Sequence, residues 1–356
     1  MIIKCIYKIS TGLIILILIS CSEPVESELL NIDISQNKID DIPLSDIASS
    51  IDLIQLETAY GAYISLIWDV KRFDRKYYIK DLNRQILIFN EDGSFNKKLV
   101  KSGEGPGESK FINSFAIDEN SGKVYIGAQR KLSVYSSDHE FIKEKIISEY
   151  LDYLTFIEGK LYAISEFAMK PVPNGFANGA IMYSVDSSLN LQDTIILRDV
   201  ILQKKTVTGY PFNQFVSSHG SNYSIYTPFL PQENILRDTL FEFKENKLYP
   251  KVKFNFTKPY FDDHGNKIIK IYNLWDSKSY LICEYFFDGS KMLYIYNKNS
   301  KEGFNLKEGF IDGDGDKVIL RPLDLEENIF YYVKAVEFAD KSIEEANPLI
   351  GIVKLK

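Results

Sequence analysis

Asp312-Gly-Asp-Gly-Asp316 sets three carboxylates at alternate positions with glycines between them. That spacing can wrap oxygen ligands around a hard cation such as Ca²⁺. An EF-hand loop would need glycine at its sixth position and glutamate at its twelfth. Those positions hold Lys317 and Leu323, so a calcium site here is a simpler loop or a solvated turn. Gly103-Glu-Gly-Pro-Gly-Glu108 invites a phosphate-loop reading, but Pro106 removes an amide and Glu104 and Glu108 repel phosphate. It reads as a turn between sheets, with the two glutamates as candidate binding groups. His139, His219 and His264 all fall in turn-rich stretches, and His219, in Ser217-Ser-His-Gly220, is the most site-like. Neither Gly-x-Ser-x-Gly nor His-Glu-x-x-His occurs. Carboxylate pairs for glycoside chemistry stay open, because spacing along the chain does not give spacing in space.

The cysteines carry a different chemistry. Lys4 and Lys8 precede an unbroken apolar run, Leu13 to Ile19. As a helix that run spans about 10 Å, far short of the ~30 Å of a bilayer core. A cleaved export signal over residues 1–20 fits better than a membrane span. Leu18-Ile19-Ser20-Cys21 resembles the lipobox of bacterial lipoproteins, which implies a diacylglycerol thioether on Cys21 and a lipid tether to the membrane. Ser22 in place of aspartate favours, by the same resemblance, the outer membrane, facing the periplasm or the cell surface. With Cys5 lost and Cys21 acylated, Cys283 stands alone. Its setting, Tyr280-Leu-Ile-Cys-Glu-Tyr285, is that of a buried strand. The net charge of −7, with no basic run, leaves no footprint for nucleic acid.

The elements that would hold these groups are strands. Tyr and Phe number 23 each, which leans the composition toward pleated, half-buried surfaces. Residues 21–50 read as a tether and lead-in, and 51–356 as strands. Tyr77-Tyr-Ile-Lys-Asp81, Ile86-Leu-Ile-Phe-Asn90 and Phe95-Asn-Lys-Lys-Leu99 form one unit, and Val124-Tyr-Ile-Gly-Ala128, Lys131 to Tyr135 and Phe141 to Ile146 repeat its grammar. Further units begin at Leu161, Tyr223, Ser279 and Ile329. Repeats of roughly 40–60 residues with about four strands each predict an all-β, six-bladed β-propeller. The last unit is short of strands. Ile51 to Glu57 would supply the missing one, an N-terminal strand closing the last blade and removing an exposed edge. The stretch Met169 to Gly179 is expected to be a loop, since Pro and Gly interrupt it. Ile201 to Gln232 reads as an insertion whose Tyr210 and Phe212 are candidate ligand contacts.

Gly103-Glu-Gly-Pro-Gly-Glu108, the preceding Tyr-Ile-Lys-Asp unit, Gly309 to Gly315 and the ending Asn347 to Lys356 resemble the six-bladed β-propeller lipoproteins of Bacteroides-type bacteria. The Asp314-Gly-Asp316-Lys segment departs from that family's usual Asp-Asp-Gly-Gly. The resemblance covers the mature chain and implies fold and location more than activity. The expected function is a non-catalytic binding or scaffolding module for a glycan, a peptide or an envelope protein partner. The alternative is a polysaccharide lyase or hydrolase with its site at one mouth of the channel. An aromatic, uncharged mouth would favour binding; convergent carboxylates with displaced pKa would favour catalysis.

Overall fold

The computed structural model describes residues 29–36, 38–206, 214–334 and 346–356. Six four-stranded antiparallel sheets follow one another around a central axis. Blade 1 spans 67–98, blade 2 spans 114–146, blade 3 spans 153–202, blade 4 spans 216–256 and blade 5 spans 269–307. Blade 6 is built from Arg321–Asp324, Ile329–Lys334, Leu349–Leu355 and, at its outer edge, Ala48–Gln55.

Ring closure follows from where the apolar side chains go. A blade's middle strands are sandwiched between neighbours, so Ile86, Leu87, Ile88 and Phe89 are all buried although they point alternately to the two faces. Outer strands face water on one side, and Phe95–Lys98 alternates between half-buried and exposed. The buried residues sort into six clusters, one between each adjacent pair of blades. The last joins Tyr331, Ile350 and Ile352 of blade 6 to Val70, Tyr77 and Phe89 of blade 1. No blade could hide both faces alone, and in a closed circle each does.

The clasp expected at residues 51–57 is present and starts earlier. Ala48–Gln55 pairs antiparallel with Leu349–Leu355, with Leu53 opposite Gly351. Glu57 then donates its amide to the carbonyl of Gly93 in blade 1. A Cβ on Gly93 would lie 2.2 Å from the Gln55 carbonyl oxygen, and its φ of +86° is itself a glycine conformation. Asn347 locks the same seam, donating to the carbonyls of Glu57 and Ala62 and accepting from the Ile64 amide.

Three expectations are corrected. The segment read as tether and lead-in carries structure in its described part. Leu30–Ile34 adds a fifth, parallel strand to blade 4 and buries Ile32 and Ile34. Residues 38–42 then cross blade 5, where Asp40 and Asn305 exchange hydrogen bonds. A single helical turn, Leu44–Ile47, leads into the clasp. The N-terminal part is thus a belt over three blades. Second, Met169 to Gly179 is not a loop. Strands Lys160–Val172 and Gly175–Val185 run through it, with a register shift between Phe167 and Lys170 that absorbs the irregularity. Third, the insertion proposed for 201–232 contains Val216–His219, the innermost strand of blade 4, just before the strand expected at Tyr223, which is Asn222–Ile225. Among the described residues, no helix is long and apolar enough to cross a membrane.

Candidate functional site: the axial cavity

Each blade contributes its first strand to the axis: Ile67–Phe73, Ser114–Ile117, Tyr153–Ile157, Val216–His219, Ile269–Asp276 and Arg321–Asp324. Turns between first and second strands gather on what we term the lower face. Loops between blades gather on the upper face. A cavity of about 610 Å³ runs along the axis, lined from blades 1, 2, 3, 4 and 6. That volume is within the range of small-ligand sites, roughly 300–1,000 Å³.

Acids dominate its charged lining. Asp69 projects from blade 1, Asp118 and Glu119 from the blade 2 turn, Glu158 from the blade 3 turn, and Asp324 and Glu326 from blade 6. The bases are Lys71, Arg72 and His219, and each has a carboxylate partner. Lys71 is 3.4 Å from Asp69. Arg72 bonds to Glu91 outside the lining. Glu326 pairs with Lys278, whose hydrogen bond holds it below the ordinary carboxylate range. Asp118, Glu119, Glu158 and Asp324 have no ion pair among the described residues. Phe73, Phe156 and Tyr223 add aromatic surface.

Among the described residues, His219 is the one sequence-predicted site residue that the fold brings to this cavity. Its Nε2 lies 3.3 Å from Oδ2 of Asp276, the last residue of blade 5's inner strand. Asp276 is fully buried and accepts from Lys251 at 2.7 Å, Ser224 at 2.9 Å and Lys298. Burial alone would raise its pKa, but His219, Lys298 and Lys251 together hold it well below the usual carboxylate range. The cluster rivets blade 4 to blade 5 and fixes His219 on the cavity wall.

The other candidates lie elsewhere. Glu104 pairs with Lys110 at 2.7 Å, and Glu108 accepts from the Gly105 amide at 3.1 Å, both on the loop from blade 1 to blade 2. Asp312, Asp314 and Asp316 sit on the short ribbon before blade 6. Their ligand atoms lie within 4.8 Å of one another, so the donor set has the compactness a cation needs. The ammonium of Lys334 already stands among them, 2.8, 2.7 and 2.6 Å from the three carboxylates. Asp312 has a further task, accepting the amides of Asp314 and Asp316. The same turn recurs at Asp186 with Ser188 and Asn190, and at Asp262 with His264 and Asn266. Tyr210, Phe212 and Cys21 lie outside the described residues. Cys283 is buried, which pushes its thiol well up and keeps it protonated.

Sequence reasoning missed a set of buried charges that lie outside the cavity lining. Arg198, fully buried, bonds to Glu166 at 2.7 Å and to the Pro228 carbonyl at 3.1 Å. Burial raises the pKa of Glu166 and of neighbouring Asp152, whose carboxylate accepts the Glu166 amide at 2.7 Å. Arg321 grips Glu284 with both nitrogens, at 2.7 and 2.8 Å, and Asn273 donates to the same carboxylate. Lys80 is pushed down to about 8 by burial and bonds to the Asn113 carbonyl. A charged residue within an otherwise apolar second strand, as at Glu284 in Leu-Ile-Cys-Glu-Tyr, was the available signal.

The match that decides the family runs over residues 29–354, to a domain of unknown function, DUF4934. The chain belongs to the DUF4934 family. Among solved structures, this DUF4934 chain is similar to a Bacteroides fragilis protein described as exported, with a TM-score of 0.69 and 17% identity over 92% of this chain and 99% of that one. At that identity the likeness shows the propeller fold alone. A β-propeller domain of Swd1 from Myceliophthora thermophila (TM-score 0.44, 11% identity, 83% and 98% covered) and a gluconolactonase of Xanthomonas campestris (0.43, 12%, 87% and 97%) are too distant to carry an argument. No curated protein matches the DUF4934 chain.

Proposed function

We propose that the protein is an exported, non-catalytic binding propeller, tethered to the outer membrane through acylated Cys21, that takes a positively charged peptide segment in its axial cavity. The observation that carries this reading is the cavity's charge balance. Its basic groups are matched by carboxylates, and four acids from three blades are left without an ion pair among the described residues around the opening. Clefts lined by one sign of charge concentrate ligands of the other sign. Phe73, Phe156 and Tyr223 line the same cavity, and aromatic rings attract ammonium and guanidinium groups. The exported relative in Bacteroides fragilis and the signal-like N-terminus support the location.

The mouth is charged as well as aromatic, so one observation favours a second reading. Asp152 and Glu166, both raised by burial beside blade 3, are the kind of carboxyls that serve as acids in glycan cleavage. Calorimetric titration separates the readings. Tri-lysine should bind with a Kd that rises at least tenfold in a Glu119→Gln/Glu158→Gln variant. Tri-glutamate and a neutral trisaccharide should not bind. Turnover of an oligosaccharide that is lost in Glu166→Gln would establish the second reading instead.

A further inference from the structure

The upper face carries a second surface, unconnected with the cavity's charge. Tyr60 and Leu66 stand on the loop after the clasp, Leu82 on the turn between the second and third strands of blade 1, and Phe111 and Tyr150 on the next two inter-blade loops. All five are exposed, Tyr60 by 99%. Backbone hydrogen bonds knit their loops into one shelf. The Leu82 amide donates to Leu66, Ile112 to Arg84, and Leu151 to Gln129. The guanidinium of Arg84 lies 5.4 Å from the Phe111 ring centroid, and that of Arg130 lies 4.9 Å from the ring of Tyr150. Neither arginine has an ion pair among the described residues. The lower turns of the same blades are polar instead, Asp74-Arg75 and Glu91 to Ser94 among them.

Apolar side chains clustered on one face of a water-exposed ring mark a contact surface. Tyr, Phe and Arg are the residues that anchor protein interfaces, where Lys is depleted. Laying an arginine on a ring fixes its donors in place while leaving them open to a carboxylate. We propose that the upper face over blades 1 to 3 docks an extended segment of a partner protein in which acidic residues alternate with apolar ones. Arg84 and Arg130 take the carboxylates, and Tyr60, Leu66, Leu82, Phe111 and Tyr150 take the apolar side chains. Glu104 on the same loops is already paired with Lys110, so Arg84 and Arg130, each beside a ring, are the groups open to a partner's carboxylates.

The test is fluorescence anisotropy with the full chain and a labelled octapeptide in which Asp alternates with Leu and Phe. Binding is expected, with a Kd that rises at least tenfold in Arg84→Gln/Arg130→Gln and in Tyr60→Ser/Phe111→Ser. Both variants replace exposed side chains and should keep the melting temperature of the parent. Replacing Asp by Lys in the peptide should abolish binding. Equal binding of the Lys peptide, or an unchanged Kd in both variants, would overturn the proposal. So would arginine-dependent sedimentation with phosphatidylglycerol vesicles without peptide binding, which would assign the surface to lipid. Arginine-dependent dimerisation would assign it to a second copy.

Discussion

Lys334 shows how one side chain can do the work expected of an ion. Three aspartates brought within a few ångströms repel one another, and a single ammonium bonded to all three relieves that strain. These bonds hold Lys334 far above its ordinary pKa. With Lys334 in place, millimolar Ca²⁺ should leave the melting temperature unchanged. Lys334→Gln should lower it, and Ca²⁺ should restore much of the loss. A calcium-dependent rise in the parent protein would mean that the ammonium is readily displaced. His139 offers a pH-dependent counterpart. Burial against Tyr78, which hydrogen-bonds Nε2 at 2.8 Å, and the nearby Lys97 and Lys76 push its pKa down to about 4. An unfolded chain binds that proton near 6.5, so between about 6.5 and 4 the unfolded state holds more protons than the folded one. Stability contributed by neutral His139 is therefore full above pH 6.5 and falls as the solution is acidified toward 4. Urea midpoints of His139→Gln should drop less over that window than those of the parent.

At the scale of elements, legibility in the sequence depended on whether a strand's pattern reflected its own surroundings. Ile86-Leu-Ile-Phe and Met292-Leu-Tyr-Ile were plain because strands buried on both faces are continuously apolar. Val216-Ser-Ser-His219 was not, since an inner strand faces a polar cavity and its residues resemble a turn. Leu30–Ile34 was hidden for another reason: it is short, and its place was set by the distant edge of blade 4 rather than by its neighbours. Ile34 is wholly buried there, so Ile34→Ala should cost about 2–5 kcal/mol in chemical denaturation. A cost below 0.5 kcal/mol would mean that the belt does not hold in solution. Gly93→Ala tests the clasp, and backbone strain plus the Gln55 contact should remove about 1–3 kcal/mol.

For the whole molecule, the ring was legible and the site was only partly so. Repeat grammar exposes a propeller because every blade solves the same burial problem. A cavity on the axis is assembled from residues some 250 positions apart, such as Asp69 and Glu326, and no local pattern marks them. His219 was found through its turn-like setting, whereas Glu119 and Glu158 looked like any acidic hairpin. The two faces differ in character, with an acidic opening below and an aromatic shelf above. The most direct measurement is hydrogen–deuterium exchange of the full chain with and without saturating tri-lysine. Slower exchange should be confined to residues 118–120, 156–159, 218–223 and 324–326, the turns around the lower opening. Protection only in the upper loops, or none at a concentration where calorimetry shows saturation, would contradict binding in the axial cavity.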